Sequence, residues 1–206
     1  MELMGFLFRW LHLLFGITWI GMLYYFNFVQ GGYFKSATPE ALADAKAKLA
    51  PSALWWFRWG AMFTFITGVL LLVGIKSASL PLTEYIILGA TMGTLMFLNV
   101  WLVIWPNQKI ALGLVEGGDK AVAGAKALLA SRTNVLFSAP MVFCMLASAH
   151  RGFTGSATGL YVALGIVAVL EINGLIGKQG PLASVVGVIH VSLALTAVLV
   201  GCLVWL

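Results

Sequence analysis

The chain has 206 residues, of which 61% are hydrophobic and 9% charged. A water-soluble domain carries roughly 25% charged residues, so the composition excludes a soluble globular protein and points to one compact integral membrane bundle. The formal net charge is +5, but the cations gather in particular connections rather than on one patch, which gives no nucleic-acid surface.

The N-terminal MELMGFLFRW has neither the basic n-region nor the small-residue cleavage site of a signal peptide, so the first helix is expected to stay. Six apolar spans follow, near residues 5–30, 53–75, 82–105, 134–150, 156–176 and 182–206. About 20 residues at 1.5 Å rise cross a hydrocarbon core of ~30 Å. Span one carries His12 about two turns in, with Gly16, Trp19 and Leu23 following on its face. Thr38-Pro39-Glu40 opens a short helix, ALADAKAKLA, which Pro51 is expected to stop. GGDKAVAGAKALLASR between spans three and four is a similar amphipathic piece, and both are expected to lie on the membrane surface. Pro106 is expected to break span three. Gly89 and Gly93 form a GxxxG, and Gly16, Gly21, Gly60 and Gly68 offer further points of close helix approach. Trp55, Trp56, Trp59, Trp101 and Trp105 suit an interfacial belt. Cys144 and Cys202 sit in apolar runs, without a CxxC or CxxCH, and read as small hydrophobes.

The expected architecture is therefore an all-α integral membrane protein, a bundle of about six transmembrane helices with two short surface helices. Residues 1–206 form one membrane domain, with a four-helix core at 5–150 and additional helices at 156–206. With the N-terminus on one face (A), the connections after spans one, three and five fall on the other (B). Face B then holds Lys35, Lys46, Lys48, Arg58, Lys109, Lys120, Lys126, Arg132 and Lys178, against Arg9, Lys76 and Arg151 on face A. The positive-inside tendency makes B cytoplasmic. Both termini are then expected on the periplasmic side of a bacterial inner membrane.

Ionisable groups inside lipid are costly and mark function or mutual satisfaction. His12 and His150 fall at similar depth near face A, on different helices, which is what non-covalent haem b requires of two axial imidazoles. Arg9 and Arg151 stand beside them to hold propionates or headgroups. Glu171 and His190, on spans five and six, are candidates for a proton-relaying or mutually satisfied pair, which Asn173 could join. At face B, Arg58, Asn107, Lys109, Arg132 and Asn134 gather cations and amides where three helix ends meet. Such a set suits a planar, anionic or polar ligand, or lipid headgroups.

The segments RWLHxxxGxxWIG (Arg9 to Gly21), YFNFVQ (Tyr25 to Gln30), WWFRWGA (Trp55 to Ala61), NVWLVIWPNQK (Asn99 to Lys109) and RTNVLFSAPMVFCM (Arg132 to Met145) resemble the urate oxidase N-terminal membrane domain of bacterial urate hydroxylases. The likeness runs over roughly residues 5 to 150. The first four spans are also distantly similar to the four-helix membrane protoporphyrinogen oxidase, through the early-helix histidine and through Arg132, Asn134 and Pro140. The resemblance implies a redox bundle with His12 as a haem-b ligand and urate as substrate. In the urate enzymes a periplasmic cytochrome c domain follows the membrane part. Here the chain stops at Leu206, so electrons are expected to leave through a separate cytochrome or a larger membrane complex. The rival expectation is a non-catalytic accessory subunit of a respiratory or photosynthetic complex. A channel or transporter is weaker, because no inverted repeat and no continuous polar file appear.

Overall fold

The computed structural model describes residues 2–150 and 154–206; the candidate propionate ligand Arg151 lies outside them. Every regular element among the described residues is helical. Six helices are long and apolar enough to cross a membrane: α1 (Leu3–Ser36), α2 (Pro39–Ser77), α3 (Glu84–Ala111), α4 (Lys120–Ala149), α5 (Ala157–Ile176) and α6 (Val185–Trp205). Five of them start on a side-chain cap. Thr38, Thr83, Asp119, Ser156 and Ser184 each accept a hydrogen bond from an N–H of the first turn that follows.

The two amphipathic connectors are not separate surface helices. ALADAKAKLA runs without interruption into α2, and KAVAGAKALLASR is the opening stretch of α4. Nor do Pro51 and Pro106 stop their helices. A proline inside a helix lacks an N–H, and its ring meets the carbonyl four residues back. Here each proline follows a wide π turn within two residues, Ala45–Leu49 before Pro51 and Asn99–Ile104 before Pro106. The extra residue carries the obstructing carbonyl aside and the helix continues. Pro140 inside α4 is handled differently. It leaves the Leu136 carbonyl without its intrahelical donor, and the Ser192 hydroxyl of α6 donates to that oxygen at 2.8 Å.

α4 is the central strut. Of its most apolar stretch 67% is buried, against 6% for α1. α3 packs on α4 through Gly89, where an added Cβ would stand 3.1 Å from the Cys144 Cβ. α1 pairs with α2 at Gly60, where a Cβ would stand 3.1 Å from the Trp19 backbone nitrogen. Gly21 has open space around it and is not a packing point. α5 and α6 run antiparallel, with the Ser156 N–H donating to the Leu203 carbonyl at 3.0 Å. Both cysteines are free, Cys144 buried and Cys202 half-buried. The outer surface is apolar; Leu3, Phe6, Leu13, Ile17, Tyr161 and Ile176 all stand exposed. A continuous apolar exterior of this kind suits hydrocarbon rather than water.

Candidate functional site

The polar residues of the interior hang on two successive turns of α4. Ser131, Arg132, Thr133, Asn134 and Ser138 are all buried. They lie well inside a 30-residue helix that begins at Lys120, not at a helix end as the sequence suggested. On the α1 side, a third wide turn, Tyr25–Gln30, presents Asn27 to α4. The Asn27 amide donates to the Ser131 hydroxyl at 2.8 Å and to the Leu23 carbonyl at 2.9 Å. One turn away, Ser138 gives its hydrogen to the Val135 carbonyl at 2.7 Å and accepts the Tyr24 hydroxyl at 2.8 Å.

Arg132 is poorly matched in this setting. Its one hydrogen bond, from Nη2 to the Asn27 carbonyl, is long at 3.4 Å, while Nε and Nη1 are buried without a partner. Arg58 of α2 is alike. Its guanidinium lies over the Trp105 ring of α3 at 3.4 Å, and its Nε and Nη1 are also buried and unpartnered. Ring contacts place both arginines at one level of the bundle. Phe26, beside Asn27, packs on Phe57 with centroids 5.5 Å apart, and Trp59 packs on Trp101 at 5.9 Å. Further buried, unpartnered atoms sit on α1 and α3: the indole N–H groups of Trp19 and Trp101 and the amide oxygens of Asn27 and Gln30. No carboxylate answers these cations; among the described residues the ion pair formed is the exposed Lys48–Asp44. A buried guanidinium without a counter-charge costs free energy. A set of unpaired donors with a few unpaired acceptors is the negative image of a flat anion bearing carbonyl oxygens and N–H groups.

The remaining members of the expected face-B set divide. Lys109 lies over the same Trp105 ring at 5.5 Å, while the Asn107 amide donates to the Val103 carbonyl of its own helix. Asn134 faces away from Arg132, toward α3 and α5. Its amide donates to the Met96 carbonyl at 3.0 Å, and its oxygen accepts from Asn99 at 3.0 Å. Asn99 also donates to the Glu171 carboxylate at 3.2 Å. That bond corrects the expected Glu171–His190 pair: Glu171 is turned to Asn99, while exposed His190 donates Nδ1–H to the Val186 carbonyl at 2.8 Å. Asn173 binds the backbone of Lys178 instead.

His12 is half-buried between α1 and α2. Its Nδ1–H donates to the Thr64 carbonyl at 2.9 Å and leans on the Thr67 hydroxyl at 3.2 Å, whose own hydrogen goes to the Phe63 carbonyl. Gly68 makes the room, since a Cβ there would sit 3.0 Å from the imidazole Cε1. An imidazole whose Nδ1–H is held by a carbonyl, with no hydrogen bond to Nε2 among the described residues, is tautomerically set to bind a metal through Nε2. In that respect His12 fits haem b. His150 lies twelve residues from Ser138, as His12 lies twelve from its partner Tyr24, about 18 Å toward the same face. His150 itself is exposed, with Nδ1 on the Leu146 carbonyl of its own helix, and Arg9 is exposed as well. No contact among the described residues draws His150 to His12.

Sequence reasoning placed Arg58 and Arg132 in one set but missed Asn27, Gln30, Trp19 and Trp101. The available signal was Asn27 in YFNFVQ, an amide deep in an apolar span, where a polar side chain needs a partner.

These features define a class: an all-helical protein with six membrane-length apolar helices and a charged, amide-lined interior. A family model described as urate oxidase N-terminal matches residues 79–179, just under half of the chain, and over that stretch the chain is similar to this family. The match covers α3, α4 and α5, and so carries Trp101, Trp105, Arg132, Asn134 and Glu171 but neither Arg58 nor His12. It runs further toward the C-terminus than the motifs suggested. Neither a curated protein nor a solved structure matches the chain.

Proposed function

We propose that the chain is a membrane-embedded oxidoreductase domain of the urate-hydroxylase type, which binds a planar monoanionic heterocycle between α1, α2, α3 and α4. The observation that carries this reading is the pair of buried arginines, Arg58 and Arg132, with four N–H bearing nitrogens left unpaired. The likeness to the urate oxidase N-terminal family then favours urate, which is anionic at neutral pH and carries both carbonyl oxygens and N–H groups. In this reading Arg132 and Arg58 neutralise the anion and fix its carbonyl oxygens. Asn27 and Gln30 accept its N–H groups, and the tryptophans offer flat walls. His12 is the residue that would hold haem b, and bound haem would supply one-electron chemistry. Electrons then pass to a separate carrier.

Insertion in a bacterial inner membrane with face B inward belongs to the same proposal. Arg58 and Arg132 no longer count as boundary cations. Lys35, Lys46, Lys48, Lys109, Lys120, Lys126 and Lys178 still outnumber Arg9 and Lys76.

The test is equilibrium binding of urate to the detergent-solubilised protein, with Arg58→Met and Arg132→Met beside the wild type. Each substitution is expected to weaken binding at least ten-fold, and the neutral heterocycle hypoxanthine to bind poorly to all three. Equal urate affinity in the three proteins overturns the reading. It would favour an accessory subunit whose arginines are met by another chain.

A further inference from the structure

The amide cluster on the far side of α4 takes no part in the proposed anion site, yet it touches the segment of α3 that builds that site's floor. Asn99 opens the wide turn Asn99–Ile104. Trp101 lies within the turn and Trp105 follows it directly, under Arg58. A wide turn inserts one residue into the helix. Closing it into regular α-helix would rotate everything beyond it by about 100° and carry Trp105 out from under the guanidinium. The orientation of the floor therefore depends on whatever holds the turn open.

We infer that Asn99 is a positioning residue for the anion site, and that Glu171 acts with it as a hydrogen-bond acceptor. The Asn99 amide donates to Asn134 on α4 at 3.0 Å and to Glu171 on α5 at 3.2 Å. Asn99 is 2% exposed and Asn134 fully buried, so neither has water to turn to. Two donations from one buried amide to two different helices fix the azimuth of α3 at the first residue of the turn. The Asn134 amide donates in turn to the Met96 carbonyl, on the last regular turn before the widening. The lock thus grips the backbone as well as the side chain. The Tyr25–Gln30 turn of α1 follows the same rule: its Asn27 amide is bonded to Ser131 of α4, one turn before Asn134. Pro106 makes a wide turn sterically favourable, but it carries no hydrogen bond to another helix and cannot choose which way α3 faces. Glu171 is needed here for its oxygen, not for its charge.

This inference rests on the anion-site reading for its functional consequence, but its structural half has a test of its own. The Ala111 Cβ lies 3.8 Å from where a Cβ on Gly124 would be, which matches the usual Cβ separation in a disulfide. In a background lacking Cys144 and Cys202, an Ala111→Cys, Gly124→Cys protein should cross-link on mild oxidation. That cross-link reports the register of α3 beyond the turn. Adding Asn99→Leu should abolish it, as should Glu171→Leu, whereas Glu171→Gln, which keeps an acceptor oxygen, should retain it. In the cross-link-free protein, urate affinity should follow the same order, falling ten-fold or more with Asn99→Leu and little with Glu171→Gln. A cross-link that survives Asn99→Leu but not Pro106→Ala overturns the inference and assigns the register to the proline. Loss of the cross-link with Glu171→Gln also overturns it, because charge rather than an acceptor would then be required. If the wild type binds no urate while the cross-links behave as expected, the anion-site reading fails and the positioning role of Asn99 stands.

Discussion

Replacing Arg132 by methionine should make the ligand-free protein more stable while removing its ligand. Two of the guanidinium nitrogens are buried without partners, and the hydrogen bond of the third is 3.4 Å long. A buried unsatisfied N–H costs about 1–3 kcal/mol, and a weak hydrogen bond returns at most ~1 kcal/mol. Methionine keeps the apolar stem in place and removes the stranded groups, so the net gain is roughly 2 kcal/mol. For a chain of this length that moves the melting midpoint up by about 4–8 °C. A thiol-reactive fluorogenic dye reads the transition in detergent, because Cys144 is buried in the native protein and reacts on unfolding; Cys202→Ala removes the half-buried thiol. Urate at a hundred times its dissociation constant should add about 2.7 kcal/mol to the wild type and nothing to Arg132→Met. If the methionine variant melts several degrees lower than the wild type, the guanidinium is satisfied within the fold, Arg132 is a strut, and the case for a ligand at this level is lost.

Other substitutions test the rest of the structure. Ser192→Ala should cost about 1–3 kcal/mol in the wild type by stranding the Leu136 carbonyl, and clearly less in a Pro140→Ala background where residue 140 regains its N–H; thermal melts of the four proteins give the coupling. Gly60→Leu should cost about 1–3 kcal/mol or more, because its side chain meets the Trp19 backbone 3.1 Å away, and the melting midpoint should fall accordingly. His12→Ala should abolish the haem Soret band in dithionite-reduced spectra, and Gly68→Ala should shift or weaken it by displacing the ring. A colourless wild type after reconstitution with haem refutes that assignment.

The count of six helices could be read from the sequence because apolar length is a property of each segment alone. Helix ends and polar partners were legible only where one local rule decided them. Gly89 is an example: a small residue in a GxxxG lets α4 approach whichever way the flanking residues point. Pro51 and Pro106 show the opposite case. Their local rule says stop, and the helix continues because a wide turn upstream, held in the second case by an amide hydrogen bond to α4, removes the clash. No spacing in the sequence announces that extra residue, and it changes the face of everything after it. Depth along the spans put Asn134 in one group with Arg132 when the two face different helices. It also set Glu171 against His190 when α3 supplies a better-placed donor.

The position of α4 explains why its residues were set against the wrong partners. α1 buries one side against α2, so a residue's face can be guessed from neighbours on one helix. α4 is nearly surrounded. From Ser131 to Ser138 its side chains or carbonyls meet α1 through Asn27 and Tyr24, α3 through Asn99, α5 where Thr133 fits against Gly174, and α6 through Ser192. Each contact is cheap only if the others hold, because a buried polar group that loses its partner finds no water to replace it. Arg132 stands in the middle of this set as the member whose side-chain demand the fold does not meet. Among α4 side chains that each find a partner, a cation with two buried, unpartnered nitrogens is better explained by a ligand it awaits than by loose packing.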